Sequence, residues 1–333
     1  MVSVAQGAVP LAEVVRGGLV ESVHLGHLVV LDPDGTVVLA AGDPDVEIWP
    51  RSSLKPVQAV AMLRAGLELP ADQLALAAAS HDGTPRHVGV ARQILAGVGL
   101  TEESLANTPD LPYDPQAAAA WQGAGHGPDR LTQNCSGKHA AMLATCRVAG
   151  WPLEGYLAVD HPLQQAVRAA VVELAGPDAA RRVTVDGCGA PLFSTTPAGL
   201  ARSFSRMVQA PAGSPERRVV AAMTAFPELV GGDGRDATRA MRAVPGLLAK
   251  DGADGVYAAA LPGGAALAFK VLDGASRPRP AVLAAALRAA GALDVPGADE
   301  AALDALGATP VLGGGAPVGE VRSTVAVRAE VAS

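Results

Sequence analysis

Lysine is scarce in this chain of 333 residues. It stands only at Lys55, Lys138, Lys250 and Lys270, and the other 22 of the 26 Lys plus Arg are arginines. A solvated positive face accepts either residue. A lysine persists where arginine cannot replace it, because burial or a neighbouring cation can neutralise an amine, whereas a guanidinium stays charged. The four lysines are therefore a short list of positions for chemistry. Aromatic residues are also few, at 3%, which excludes a core of ring clusters. The 49% of apolar residues, many of them alanine, point instead to close-packed helices with small side chains. Three cysteines, Cys135, Cys146 and Cys188, are an odd number without disulfide spacing, which excludes a disulfide scaffold and points to a reducing, cytoplasmic setting. The net charge of −7, with no basic stripe to offset it, excludes nucleic acid as a partner. No charged n-region followed by an apolar run opens the chain, so no signal peptide is expected. The longest uncharged stretch, GVYAAALPGGAALAF, is broken by Pro262-Gly263-Gly264 and reads as a hairpin, not a membrane span.

The length suits one large domain or two intimate ones. Residues 1–50 read as strands, with LVESVHLGHLVVLD and TVVLAA flanking the turn PDG. From Ser52 the spacing becomes helical, with Ser52 as the cap of SSLKPVQAVAMLRAGL. Helical segments then dominate to about residue 241, interrupted by RRVTVDGCG as a strand and loop. GVYAAAL and AALAFKVLDG follow as paired strands, then helices near 280–290 and 298–306 and a last strand over 319–331. VLGGGAPVGE reads as a loop entering that strand. The resulting expectation is an α+β fold: a mainly antiparallel sheet built by both termini, about 1–50 and 242–333, with a mainly helical part over about 51–241. The proline-rich NTPDLPYDPQ reads as a loop over the site.

Ser52 and Lys55, at i and i+3, fall on one face of a helix that begins at Ser52. Free N–H groups at such a helix start could hold an oxyanion. A serine whose proton passes to a neutral lysine is a nucleophile, although S-x-x-K alone also describes a cap and a solvated lysine. Ser80 follows an alanine run and precedes His81, Asp82 and Gly83; Gly83 alone suits a helix end. Lys270 lies within an apolar strand, where a lone lysine turns to solvent unless a function holds it. Two serines and two lysines together make a proton relay, because like charges and burial lower a lysine's pKa. In QNCSGKHAA and VDGCGAP, Cys135, Lys138 and Cys188 read from spacing as small buried residues around a pocket. Two thiolates can also hold zinc, but lysine is a rare ligand and no C-x-x-C pair is present.

In order along the chain, PRSSLKPVQ, ASHDG, NCSGKHAAML, VDGCGAP, PELVGGDGRDAT, KDGADGVY, FKVLDG and GAPVGEVR resemble the rhizobial-type, or class 3, L-asparaginases of the asparaginase II family. The resemblance spans nearly the whole chain. It implies a serine β-lactamase/DD-peptidase-like fold, hydrolysis of L-asparagine to L-aspartate and ammonia, and a homodimer. It implies that Ser52 with Lys55, and Ser80 with Lys270, form two Ser–Lys pairs, and that Cys135, Lys138 and Cys188 hold a zinc ion near the substrate. Arg51, His139 and Asp186 match pocket positions expected to read the α-carboxylate and α-amine. The β-lactamase S-D-N and K-T-G triads are absent, so penicillin chemistry is not implied. Cys146 belongs to no motif.

Acyl transfer is the leading expectation, with Lys55 taking the proton of Ser52, the Ser80–Lys270 pair assisting hydrolysis, and an alkaline optimum. Which pair supplies the nucleophile stays open at this level; Ser52 has the better helix-end position. Another β-lactamase-like Ser–Lys amidase or esterase, and an inactive zinc- or amino-acid-binding homologue, are the competing readings. An N-terminal-nucleophile reading at Thr36 is set aside, since only 35 residues precede it.

Overall fold

The computed structural model describes residues 3–325. Among them the strands are β1 (Val9–Arg16), β2 (Leu19–Leu31), β3 (Val37–Ala41), β4 (Val183–Val185), β5 (Pro191–Phe193), β6 (Leu248–Asp251), β7 (Val256–Ala260), β8 (Ala266–Val271), β9 (Thr309–Gly313) and β10 (Ala316–Ser323). The α-helices are α1 (Lys55–Arg64), α2 (Ala71–Ala77), α3 (Pro85–Ala96), α4 (Pro115–Gly123), α5 (Ser136–Ala149), α6 (Pro162–Ala175) and α7 (Pro197–Gln209), followed by α8 (Pro215–Ala225), α9 (Pro227–Val230), α10 (Asp236–Ala243), α11 (Arg279–Ala289) and α12 (Glu300–Gly307). None is long and apolar enough to cross a membrane. The chain divides into two units. One takes Met1–Ser53, Thr195–Gln209 and Arg239–Ser333; the other takes Leu54–Ser194 and Ala210–Thr238.

The first unit is built on an antiparallel sheet in the order β6-β7-β8-β2-β1-β10-β9, with β3 also paired to β2. Both ends of the chain supply it, as the alternating and apolar runs of the sequence imply. β2, at 13 residues, is long enough to pair with β1 along one stretch and with β3 and β8 along another. β7 and β8 are buried along nearly their whole length, which is why VYAAA and ALAFKV read as continuous apolar runs and not as alternation. Helix α7 packs on β2, β7 and β8, and α11 on β1, β8 and β10.

The glycine-rich stretch near the C-terminus is not only a loop. Residues 309–313 form β9, and Gly314 and Gly315, both at positive φ, make the two-residue turn into β10. Such a turn needs φ > 0 at both central positions, which glycine supplies without steric cost. The expected final strand is β10; residues 326–331 of that expectation lie outside the described residues.

The second unit packs its helices in pairs, α1 with α6 and α8, α2 with α5 and α8, and α3 with α5. Gly137, in the first turn of α5, lets that helix lie directly on α2. A Cβ there would meet Leu76 Cγ at 2.5 Å and Leu76 O at 2.6 Å, and a backbone oxygen cannot move aside. RRVTVDGCG forms β4 and a turn, returning in β5, so Cys188 sits at the tip of a hairpin closed by Asp186 N–H donating to Ala190 O at 2.9 Å.

One local expectation needs correction. The α-helix does not begin at Ser52: Arg51–Leu54 is a 3-10 turn and α1 starts at Lys55, with Leu54 at the N-cap and no side-chain cap. Pro56 explains the start, since proline is tolerated in the first helical turn and not further in. Pro56 also has no N–H, and Ser53 N–H is donated to Pro50 O at 3.2 Å, so the expected row of free donors for an oxyanion is thinned.

Candidate active site

In the second unit Lys55 is 2% exposed. A buried ammonium is costly unless acceptors surround it, and three do. Its Nζ donates to Ala79 O at 2.5 Å, Ser80 Oγ at 2.9 Å and Cys135 Sγ at 3.0 Å. Ser80 lies three residues past α2, in an extended segment held on both sides. Ser80 N–H donates to Val230 O and Asp82 N–H to Gly231 O, while His81 N–H donates to Asn134 O. Gly232 makes this possible, because a Cβ there would stand 1.7 Å from Asp82 Oδ2. Asp82 is paired with Arg235, which covers the Tyr113 ring. The motifs ASHDG, NCSGKHAAML and PELVGGDGRDAT thus build one setting around Ser80.

Cys135 and Cys188 are buried and pack in one cluster. The neighbouring Cys188, then the positive charges of Lys55 and Lys138, hold Cys135 well below the usual thiol range against burial. The neighbouring Cys135, then burial, push Cys188 up. Lys138 Nζ donates to Cys188 Sγ at 3.1 Å. Burial opposes the charge on Lys138, but the sulfurs of Cys188 and Cys135 outweigh it and its pKa is raised, with Asp186 adding to the effect. All three free cysteines are buried, and Cys146, pushed up to about 11 by burial, is an inert member of α5.

His139 follows Lys138 and is fully buried. Tyr156 Oη accepts from Ala106 N–H at 3.1 Å and lies 2.8 Å from His139 Nδ1. A phenol donating to Nδ1 places the ring proton on Nε2, a buried atom with no hydrogen-bond partner among the described residues. Burial, then Lys138 and Lys55, hold the ring neutral. In that tautomer His139 Nε2–H is a buried donor suited to an oxygen.

The first unit carries the other expected residues. Arg51 and Ser52 stand on the 3-10 turn, Ser52 partly exposed and Arg51 at φ 52. Arg51 is ion-paired with Asp254, and Lys270 Nζ donates to Asp254 O. Lys270 is half-buried. Its pKa is lowered by burial and then by the Arg51 charge, with Asp273 opposing.

Four of the seven histidines are fully engaged in structural hydrogen bonds. Among the described residues, both nitrogens of His27, His81, His87 and His161 are occupied in structural hydrogen bonds, and Nδ1 of His139 is filled by Tyr156. His24 is paired with Asp273 at 2.6 Å. A cavity of about 270 Å³ beside the β2–β3 turn, lined by Leu31, Asp32, Leu39 and Ala265 among others, contains none of the expected residues. The Asp32 carboxylate is spent on the N–H groups of Asp34 and Thr36.

The sequence matches the L-asparaginase II family over residues 12–323. The chain belongs to that family. No curated protein matches it. Among solved structures it is similar to a β-lactamase from Mycobacterium bovis, at 16% identity, covering 75% of this chain and 88% of that one with a TM-score of 0.43. It is also similar to a putative β-lactamase from Bacteroides dorei, at 17% identity, 74% and 85% coverage and TM-score 0.41. A third is Mglu in its tris and glutamate form, at 18% identity and TM-score 0.44; the match covers 86% of this chain but 63% of Mglu, under two thirds of its length. Membership rests on the family match alone.

Sequence reading passed over Tyr156, although it is one of only three tyrosines and such a residue in an aromatic-poor chain is a signal. It also passed over Asp254, which lies between Ala253 and Gly255 in KDGADGVY. Replacing Tyr156 with Phe removes the donor to His139 Nδ1. Nitrogen NMR of the imidazole should then report a mixed or Nδ1-protonated ring in place of the pure Nε2–H tautomer; an unchanged tautomer would show that Tyr156 does not set it.

Proposed function

We propose that the protein hydrolyses the side-chain amide of L-asparagine to L-aspartate and ammonia through a Ser–Lys acyl-enzyme mechanism. The observation that carries this reading is the Lys55–Ser80 hydrogen bond at 2.9 Å, in a setting where Lys55 is nearly fully buried, in a member of the L-asparaginase II family. Neither a binding role nor a packing role requires a buried amine on a serine hydroxyl.

Ser52 is the nucleophile. It is partly exposed, whereas Ser80 is 4% exposed, and its neighbour Arg51 holds the left-handed backbone typical of strained functional turns. Ser52 Oγ attacks the amide carbon as Lys55 takes the hydroxyl proton. Lys55 then returns that proton to the leaving nitrogen, and ammonia departs. For this Lys55 must be neutral, still donating to Ala79 O and Cys135 Sγ and turning its lone pair to a hydroxyl. Water attacks the ester, its proton passing to the Lys270 amine, and aspartate leaves. The Lys270 hydrogen bond is to Asp254 O, while Ser80 is held by Lys55 and not by Lys270 as expected. Arg51 and His139 Nε2–H are donors suited to the α-carboxylate, and Asp186 is an acceptor suited to the α-amine.

Zinc is part of the proposal. Among the described residues no group of three or more His, Cys, Asp or Glu side chains is arranged for a metal, and the set at hand is two buried sulfurs and an amine. That donor chemistry fits zinc once Lys138 and Cys188 have lost their protons. Bound there, zinc would act as a Lewis acid that fixes the thiolates. Residues Leu19, Val20, Val23 and Leu25 of β2 and Leu312 of β9 leave apolar surface on the first unit, Leu19 being 71% exposed. This supports a homodimer covering it, and a monomer at every concentration in sedimentation would overturn that assignment. The buried free thiols suit a reducing cytoplasm.

Ammonia release from asparagine by the purified protein should fall about a thousandfold or more in Ser52→Ala and in Lys55→Ala, with glutamine as the comparison substrate. Wild-type-like turnover in either variant would remove the Ser–Lys chemistry. Activity should rise with pH as Lys270 loses its proton, in a limb below the ordinary lysine value of about 10.4. Arg51→Gln removes a cation that lowers the Lys270 pKa, so the limb should move to higher pH; an unmoved limb would dissociate Lys270 from it. Zinc content measured by elemental analysis should drop in Cys188→Ser and decline with acidification in the native protein. Unchanged content would remove Cys188 as a ligand.

A further inference from the structure

Three non-glycine residues among those described have positive φ: Arg51 at 52°, Ala180 at 56° and Asp254 at 53°. Two of the three are ion-paired with each other. Left-handed backbone is unfavourable at a non-glycine residue, less so at aspartate than at arginine, and persists where its surroundings enforce it. Here both partners of one contact carry that cost, within the first unit, and one of them adjoins Ser52.

The turn Gly252–Gly255 joins β6 to β7 and is held from several sides. Gly252 lies against the 3-10 turn, where a Cβ would meet Pro50 O at 2.7 Å and Ser53 N at 3.4 Å. Gly255, at φ 72, lies against β8, where a Cβ would meet Val271 Cβ and O at 2.8 Å. Behind the turn, the buried Lys250 amine is bonded to Asp251 Oδ1 at 2.6 Å, and Arg279 donates to Gly252 O at 3.4 Å. A surface so tightly fitted presents Asp254 in one pose. Its carboxylate takes the Arg51 guanidinium and its carbonyl takes the Lys270 ammonium. Asp254 is itself 62% exposed at the side chain, so its ion pair contributes little to stability. Its consequence lies in orientation: a guanidinium has donors enough to be held by one carboxylate while reading another.

We propose that Asp254 is a positioning residue, its carboxylate setting Arg51 to receive the substrate's carboxylate and its main-chain carbonyl setting the Lys270 amine. This rests on the asparaginase reading for the roles of Arg51 and Lys270, and adds to it a residue that contacts neither the reacting bond nor the expected metal site. The two contacts come from different atoms, so they can be separated. Asp254→Asn keeps a residue that tolerates the left-handed region and removes the charge. Asp254→Val disfavours that backbone and shifts the carbonyl as well.

Steady-state ammonia release decides the matter. Asp254→Asn should raise KM for asparagine about tenfold, the scale of one charge-assisted hydrogen bond, with kcat within about threefold of native. Asp254→Val should raise KM similarly and also lower kcat at least tenfold. Native KM and kcat in Asp254→Asn would overturn the proposal. So would parallel losses of kcat accompanied by a lowered denaturation midpoint, which is what a folding role alone produces. If Asp254→Val does not fold, Asp254→Asn stands as the test. If the native protein releases no ammonia, the asparaginase reading fails by itself, and crystal structures of native protein and Asp254→Asn take over. Arg51 displaced from its native pose supports the proposal; Arg51 unmoved, with φ still positive, overturns it.

Discussion

The second unit is organised by the need to satisfy one buried amine. Lys55 enters at the first residue of α1, and it is met by a carbonyl, a hydroxyl and a sulfur. Burying an ammonium with imperfect partners would cost several kcal/mol, so the end of α2 and the start of α5 are constrained to deliver Ala79, Ser80 and Cys135 to one point. Gly137 lets α5 approach α2, and Gly232 makes room for Asp82 beside Ser80. The same arrangement that satisfies the ammonium gives a neutral amine a hydroxyl to deprotonate, and so packing and chemistry make the same demand.

Charge is distributed with the same economy. Two amines, Lys55 and Lys138, lie against two buried sulfurs, and the close Cys188 together with the positive charge nearby holds the Cys135 thiol well below its usual range. His139, caught between burial and those cations, stays neutral. In the first unit the order is reversed: a permanently charged guanidinium, Arg51, lies near a partly buried lysine and lowers its pKa. An arginine cannot yield its proton, which makes it a fixed source of field beside an amine that can.

Much of this was legible in the sequence. The scarcity of lysine pointed to Lys55, Lys138, Lys250 and Lys270 before any fold was known, because an amine can lose its proton and a guanidinium cannot; Lys250 is instead in a buried ion pair with Asp251. Period-two and continuous apolar runs gave the sheet strands β2, β3, β7 and β8, since burial writes itself into residue type. What could not be read is tertiary. Ser52 looked like a helix cap, and only the 3-10 turn ahead of Pro56 shows otherwise. Lys55 was read with Ser52, but its hydrogen bond to Ser80 spans 25 positions that no local period encodes. Gly314 and Gly315 looked like loop because a two-residue turn is defined by the strands on either side of it. Tyr156 and Asp254 carry no period at all; each is identified only by the groups it holds in the fold.

The central claim is that Ser52 carries the acyl group while lysine amines move its proton. The most direct measurement is to quench the protein with acid during turnover of asparagine and locate the covalent adduct by peptide mass mapping. The account predicts an aspartyl ester on the peptide containing Ser52. An adduct on the Ser80 peptide, or none while ammonia accumulates and the quench is shown to be fast enough, would contradict it.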